Sequence, residues 1–134
     1  ALGIEIRAQI DTENVKGLLL INGGGAVALL AFLPAVLGKS EYAALGKAIL
    51  WALLLFQLGM LSAVIHNRLR RVCSLVYEQS RANSPDHAEP CIVFGKALRE
   101  PCVCMRSIAF MWISVLLFFS AGIVVFVGGM LVIR

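Results

Sequence analysis

Three long stretches of apolar residues dominate the chain, at about residues 17–38, 42–66 and 107–133. Between Lys16 and Lys39 the chain carries no charge over 22 positions. A helix of that length spans about 33 Å, which exceeds the roughly 30 Å of hydrocarbon in a bilayer. A chain of 134 residues offers no soluble core in which three such helices could be buried. The pattern therefore predicts an all-α membrane protein with three transmembrane helices.

The polar connection 67–106 separates the second and third spans. An apolar stripe at helical spacing enters it from the second span through Leu69, Val72, Cys73 and Val76. This stripe predicts that the second helix projects past the membrane to about Ser80, by roughly 20 Å. Prolines bracket the stretch 91–99, for which we expect a short helix that packs back on the projection. The connection as a whole is thus predicted to be a helical hairpin.

The N-terminal segment also has a helical pattern, because Leu2, Ile6 and Ile10 are spaced four apart. This spacing predicts an amphipathic helix that lies on the membrane surface or leads into the first span. A disordered arm is the alternative. After the first span, the short stretch 38–41 leaves room only for a tight turn, so the first two spans are expected to form an antiparallel hairpin.

Small residues recur along each predicted span, and such stripes let helix backbones approach closely in a bilayer. In the third span they recur every seven residues, the spacing of a tight left-handed seam. We expect the stripe of the first span to meet that of the second. Three stripes exceed what one compact trio of helices needs, so homo-oligomers are also predicted. The predicted packing positions are Gly17, Gly24, Ala28, Ala52, Gly59, Ser107, Ala121 and Gly128.

Three polar residues inside the spans are candidates for a functional role: Asn22, Gln57 and Ser114. Each could make an interhelical hydrogen bond, or could line a pore. None of the spans contains a carboxylate, which argues against a transporter coupled to protons or sodium. The chain also lacks a Ser/His/Asp or Cys/His arrangement suited to nucleophilic catalysis, so we expect neither an enzyme nor a bound cofactor.

Charge and composition complete this interpretation. Of the chain, 60% is hydrophobic and the mean hydropathy is +0.87, values far from those of soluble domains. Seven of the twelve basic residues lie in the connection: Arg68, Arg70, Arg71, Arg81, Lys96, Arg99 and Arg106. By the positive-inside rule the connection and the N-terminus are cytoplasmic, and Arg134 is outside.

The same basic residues suggest partners. Arg68, Arg70, Arg71 and Arg106 are candidates for contacts with lipid headgroups or with a soluble cytoplasmic protein. Nucleic acid is disfavoured, because acidic residues dilute the cluster and no aromatic residues interleave to stack on bases.

All four cysteines lie in the connection, where a reducing cytoplasm would keep them as free thiols. Two alternatives are palmitoylation and a zinc site. The zinc set would be His87, Cys91, Cys102 and Cys104. Their spacing matches no recognised zinc pattern, so no metal site is predicted. The opposite orientation in the membrane would instead favour two disulfides.

The segment KGLLLINGGGAVALLAFL, residues 16–33, resembles the first span of uncharacterised small bacterial three-span inner-membrane proteins. This resemblance implies a bacterial inner membrane and carries no activity with it. Our leading hypothesis is a protein that self-associates into a pore-forming or membrane-perturbing assembly, such as an effector of antiviral defence. The alternative is a membrane anchor or scaffold that docks a soluble partner through the basic hairpin.

Overall fold

Three long helices make up most of the computed structural model, which describes residues 2–82, 91–93, 96–98 and 102–134. The helices are α1 (Leu2–Val36), α2 (Ala43–Ala82) and α3 (Cys102–Ile133). Each contains a segment long and apolar enough to cross a membrane: Ala8–Val36, Ser40–Val76 and Val103–Ile133. The prediction of three helices that can span a bilayer is therefore confirmed.

Helix α1 continues without a break from the N-terminal segment into the first span, so the helix predicted from Leu2, Ile6 and Ile10 is part of it. Its 35 residues extend about 52 Å, which is well beyond the thickness of the hydrocarbon. At its far end Gly38 adopts a φ of +85°, a left-handed conformation that glycine adopts without steric cost. A single 3-10 turn, Ser40–Tyr42, then leads into α2.

Helix α2 lies between the other two helices and packs along both, whereas α1 and α3 touch at few positions. It is antiparallel to each neighbour. Asp11 of α1 bonds to Arg70 of α2, and nearer the other end of α1 Val36 packs beside Gly46. On the other side of α2, Ser107 bonds to His66 and Gly128 lies against Ala48, so the three helices run up, down and up.

The connection contains two short strands, β1 (Cys91–Val93) and β2 (Lys96–Leu98), paired antiparallel with Ile92 opposite Ala97. The helix predicted over 91–99 is therefore wrong. The β-branched residues Ile92 and Val93 favour an extended backbone, and the sequence places Gly95, a frequent turn residue, between the strands. Residues 83–90, which the predicted hairpin includes, lie outside the described residues.

The packing face of α1 also differs from the predicted one. Among the α1 side chains that the structure describes, the buried ones are Val15, Leu18, Asn22, Ala26 and Val36. Gly17, Gly24 and Ala28 lie on the opposite, exposed side, so the expected contact between this stripe and α2 is wrong. The reason lies at Gly25, where the ring of Phe56 occupies the space that a Cβ would fill. Helix α1 thus packs by accepting a large side chain of α2 instead of by close backbone contact.

The heptad positions of α3 all face α2. Ser107, Ser114 and Ala121 are fully buried, and Gly128 is buried against Ala48. A methyl group on Gly128 would collide with the Ala48 methyl, so this end of the seam requires glycine. On the α2 side, the predicted packing positions Ala52 and Gly59 are buried as well.

Candidate polar site within the helix bundle

Asn22, Gly59 and Ser114 meet in the centre of the bundle, one from each helix. The Asn22 Nδ2 donates to the backbone oxygen of Leu18 at 3.0 Å and to the Ser114 Oγ at 3.3 Å. The Ser114 hydroxyl in turn donates to the backbone oxygen of Gly59 at 2.8 Å. Both side chains are 0% exposed. This polar cluster is therefore closed within one chain and provides no open path.

One acceptor in this cluster has no hydrogen bond. Within the described residues, the Asn22 Oδ1 is the only buried side-chain nitrogen or oxygen atom without a partner. It lies against Gly59, where a Cβ would collide with the Asn22 amide. An unpaired buried acceptor costs about 1 to 3 kcal/mol, so the cluster tolerates this cost while gaining the two bonds made by Nδ2.

A second polar pair lies one heptad away along both helices. The His66 Nδ1 is 2.7 Å from the backbone oxygen of Ser107 and 2.9 Å from the Ser107 Oγ. Because a carbonyl oxygen can only accept, we assign the imidazole hydrogen to Nδ1. The Ser107 hydroxyl then donates to the backbone oxygen of His66 at 3.3 Å. His66 is 3% exposed, which makes it a buried link between α2 and α3.

A signal in the sequence indicates this contact of His66 with Ser107. Gly59, His66 and Cys73 are spaced seven apart on α2, the same interval that separates Ser107 from Ser114 on α3. Two heptad series on antiparallel neighbours place such residues opposite one another. The seven-residue spacing shared by the two helices is therefore the sequence signal for the contact between His66 and Ser107.

Among the described residues, one ion pair joins two helices at the charged end of the bundle. The Arg70 Nε is 2.7 Å from the Asp11 Oδ2, and the two side chains are 31% and 25% exposed. Arg70 thus differs from the other candidates for headgroup or partner contacts. Arg68, Arg71 and Arg106 are exposed and make no ion pair within the described residues.

Gln57 does not join the central cluster. It lies on an exposed face of α2, close to Leu54 and Leu61, and makes no hydrogen bond within the described residues. The structure therefore brings together two of the three polar candidates, Asn22 and Ser114, and separates the third from them.

Cys73 and Cys104 form a disulfide with a Cα–Cα distance of 5.2 Å, within the usual range. The expectation of free thiols is therefore wrong for this pair, because the register of α2 against α3 places the two residues opposite each other. Of the considered zinc ligands, His87 lies outside the described residues and Cys104 is in the disulfide. Where the structure describes side chains, it groups no three His, Cys, Asp or Glu residues in a way that could hold a metal ion.

The outer surface of the bundle is apolar. Leu20, Phe126 and Ile133 are 74%, 70% and 82% exposed, and many other large apolar side chains share this surface. Water-soluble monomers rarely expose such continuous apolar area, whereas a bilayer favours it. Together with the three spanning helices, this surface defines a multi-pass membrane protein. Comparisons with protein-family models, curated proteins and solved structures find no match.

Proposed function

We propose that the chain self-associates in the membrane into a pore-forming or membrane-perturbing assembly. The observation that carries this proposal is the position of Gln57. It lies near the middle of the candidate span Ser40–Val76, on an exposed apolar face. An amide that faces hydrocarbon without a partner costs roughly 2 to 7 kcal/mol. A second copy of the chain removes this cost by supplying a hydrogen-bond partner.

The exposed stripe of α1 supports the same proposal. Gly17, Gly24 and Ala28 face away from α2, and an added Cβ at either glycine would meet no atom within 4 Å. Since Asn22 lies opposite Gly59 and the helices are antiparallel, Gly24 and Gln57 are at about the same depth. The small-residue face of α1 and the unpaired Gln57 amide thus lie at the same depth in the membrane. Together they favour the close approach of a helix from another copy.

The location of Gln57 indicates where a pathway would form. Three helices enclose no channel, and the central cluster at Asn22 is closed within the chain. A pathway would therefore lie between copies, along the face of α2 that carries Gln57. Leu54 and Leu61 flank the amide on this face, and such apolar rings close a pore by excluding water.

We also propose a bacterial inner membrane, with the N-terminus in the cytoplasm and the C-terminus outside. The supporting observation is that Lys16, Arg68, Arg71 and Arg106 are exposed at the same end of the bundle. An effector that depolarises the membrane during antiviral defence has this form, with most of its mass in the bilayer and its basic end toward the cytoplasm.

The experiment compares Gln57→Leu with Ser120→Ala, which removes an exposed polar group from α3 instead. Purified proteins are reconstituted into liposomes for ion flux and into native-lipid particles for mass measurement. We expect Gln57→Leu to reduce both oligomeric mass and flux at least several-fold, and Ser120→Ala to change neither. A strictly monomeric wild-type chain that passes no ions would overturn the proposal.

The second candidate function is a membrane anchor that docks a soluble cytoplasmic protein. It is supported by Arg68, Arg71 and Arg106, which are exposed and unpaired within the described residues. If this is the function, replacing the three arginines by glutamine abolishes capture of the partner. Gln57→Leu then has no effect on it, and no flux is measured under any condition.

A further inference from the structure

The disulfide between Cys73 and Cys104 lies at the charged end of the bundle. Cys73 is one heptad beyond His66 on α2, about 10 Å further from the apolar centre, and Arg70 and Arg71 lie between them. Cys104 belongs to the first turn of α3. The bond therefore joins α2 and α3 at the level of the Asp11–Arg70 ion pair, at the basic edge of the candidate spans Ser40–Val76 and Val103–Ile133.

We propose that Cys73 and Cys104 are a redox modification site, a clasp that a low-molecular-weight disulfide closes and a thiol opens. The inference takes from the proposed function only the orientation of the chain in the membrane. It does not depend on a pore. With the basic end in the cytoplasm, the bond lies at the end of the bundle nearer a thiol-rich compartment, where disulfides are transient and serve in catalysis or as redox sensors.

Burial of the two cysteines couples their chemistry to the position of the helices. Cys73 is 4% exposed and Cys104 is 2% exposed, although Val72 and Ser74 beside Cys73 are exposed. A thiol reagent therefore reaches the sulfur atoms only when α2 and α3 separate locally around the bond. Conversely, the closed bond makes this separation rarer without abolishing it, so a thiol reaches the bond during brief local opening, and the bond helps to keep the neighbouring contacts of His66 with Ser107 in place.

The closing reaction consists of two thiol–disulfide exchanges. The thiolate of one cysteine attacks a sulfur of oxidised glutathione, forms a mixed disulfide and releases one glutathione thiolate. The thiolate of the second cysteine then attacks the protein sulfur of the mixed disulfide and releases the second glutathione. The two cysteines are oxidised by two electrons, glutathione disulfide is reduced by two, and the departing thiolates take up the two protons.

The test uses the full chain with Cys91→Ser and Cys102→Ser, which leaves Cys73 and Cys104 as its two cysteines. Inverted membrane vesicles are equilibrated with defined ratios of reduced to oxidised glutathione and then treated with a membrane-impermeant maleimide. We expect the mass of the chain to shift from two labels to none as the buffer becomes more oxidising, and dithiothreitol to restore both. Adding Cys73→Ser to this background should leave one cysteine, which takes a label or a single glutathione.

A second readout separates a working clasp from a redox reaction without structural effect. Hydrogen exchange is measured over residues 66–82 in the oxidised and reduced chain. We expect exchange to be at least ten-fold slower in the oxidised form. Equal exchange in the two forms overturns the clasp, and so does a label count that never changes with the glutathione ratio.

The side of labelling distinguishes this failure from a failure of orientation. If the impermeant maleimide reaches the reduced cysteines in intact cells and not in inverted vesicles, the basic end is outside. The disulfide is then a permanent structural bond, and the clasp is overturned.

Discussion

The side-chain amide of Asn22 packs directly against the Cα of Gly59, in the space that a Cβ at residue 59 would occupy. The two residues come from adjacent helices, and Ser114 of the third helix bonds to both of them. The depth at which α1 packs against α2 is thus set by the absence of one methyl group.

Gly59→Ala should destabilise the bundle by about 1 to 3 kcal/mol, the usual cost of overpacking. Unfolding in mixed detergent–lipid particles measures this. The matched control is Gly122→Ala, because the corresponding Cβ at Gly122 would meet no atom within 4 Å. In the double variant Asn22→Ala, Gly59→Ala, the total loss should be smaller than the sum of the two single losses. Strict additivity would contradict the contact.

Ser114→Ala should cost about 1 kcal/mol, since it removes the donor to the Gly59 carbonyl and an acceptor for Asn22. Ser120→Ala is the control, because Ser120 is exposed on the same helix. The difference between the two free energies of unfolding isolates the buried bonds. If both serines prove equally dispensable, the cluster at Asn22 does not hold the helices together.

Adjacent glycines of α1 should respond differently to the same substitution. At Gly25 a Cβ would lie 2.6 Å from the Phe56 ring, whereas at Gly24 it would meet nothing within 4 Å. Gly25→Ala should therefore lower the free energy of unfolding by about 1 to 3 kcal/mol, and Phe56→Leu should recover part of the loss.

Gly24→Ala should leave that free energy unchanged within one chain and instead weaken self-association, since Gly24 lies on the exposed stripe. Unfolding and oligomeric mass are measured on the same samples. An effect of Gly24→Ala on unfolding of the monomer would show that α1 packs through the other face.

The Asp11–Arg70 ion pair should contribute modestly and depend on salt. Because both side chains are partly exposed, Asp11→Asn should cost at most about 1 kcal/mol, and the cost should decrease as salt is added. The control is Glu13→Gln, which breaks an exposed pair with Lys16 inside α1 and leaves the contact between helices intact. Equal losses for the two variants would indicate that the Asp11 contact does not tie α1 to α2.

The helices and the seam of α3 could be predicted from the sequence because each depends on a local pattern. Apolar length fixes the spans, and the seven-residue spacing of Ser107 and Ser114 fixes the face of α3. The face of α1 could not be predicted in this way. Two faces compete, one of small residues and one with Asn22, and the choice depends on how the Phe56 ring fits at Gly25.

In the candidate site, too, the sequence predicted the features that depend on local pattern and not those that depend on packing between helices. The position of Asn22 inside a span predicted either a hydrogen bond between helices or a place in a pore lining, but its partner depended on the register between helices. The contact of His66 with Ser107 and the bond between Cys73 and Cys104 also require that register. For the cysteines, the basic residues of the connection predicted a cytoplasmic, reducing location and hence free thiols. The location of a segment does not indicate which cysteines lie opposite each other in the folded chain.

The middle position of α2 determines how movement passes through the molecule. Since α1 and α3 touch at few positions, a displacement of α1 would reach α3 mainly through α2. A force applied at the start of α1 would thus reach Arg70 through Asp11 before it reached Cys104. Helix α2 would therefore carry most of the mechanical coupling between the other two helices.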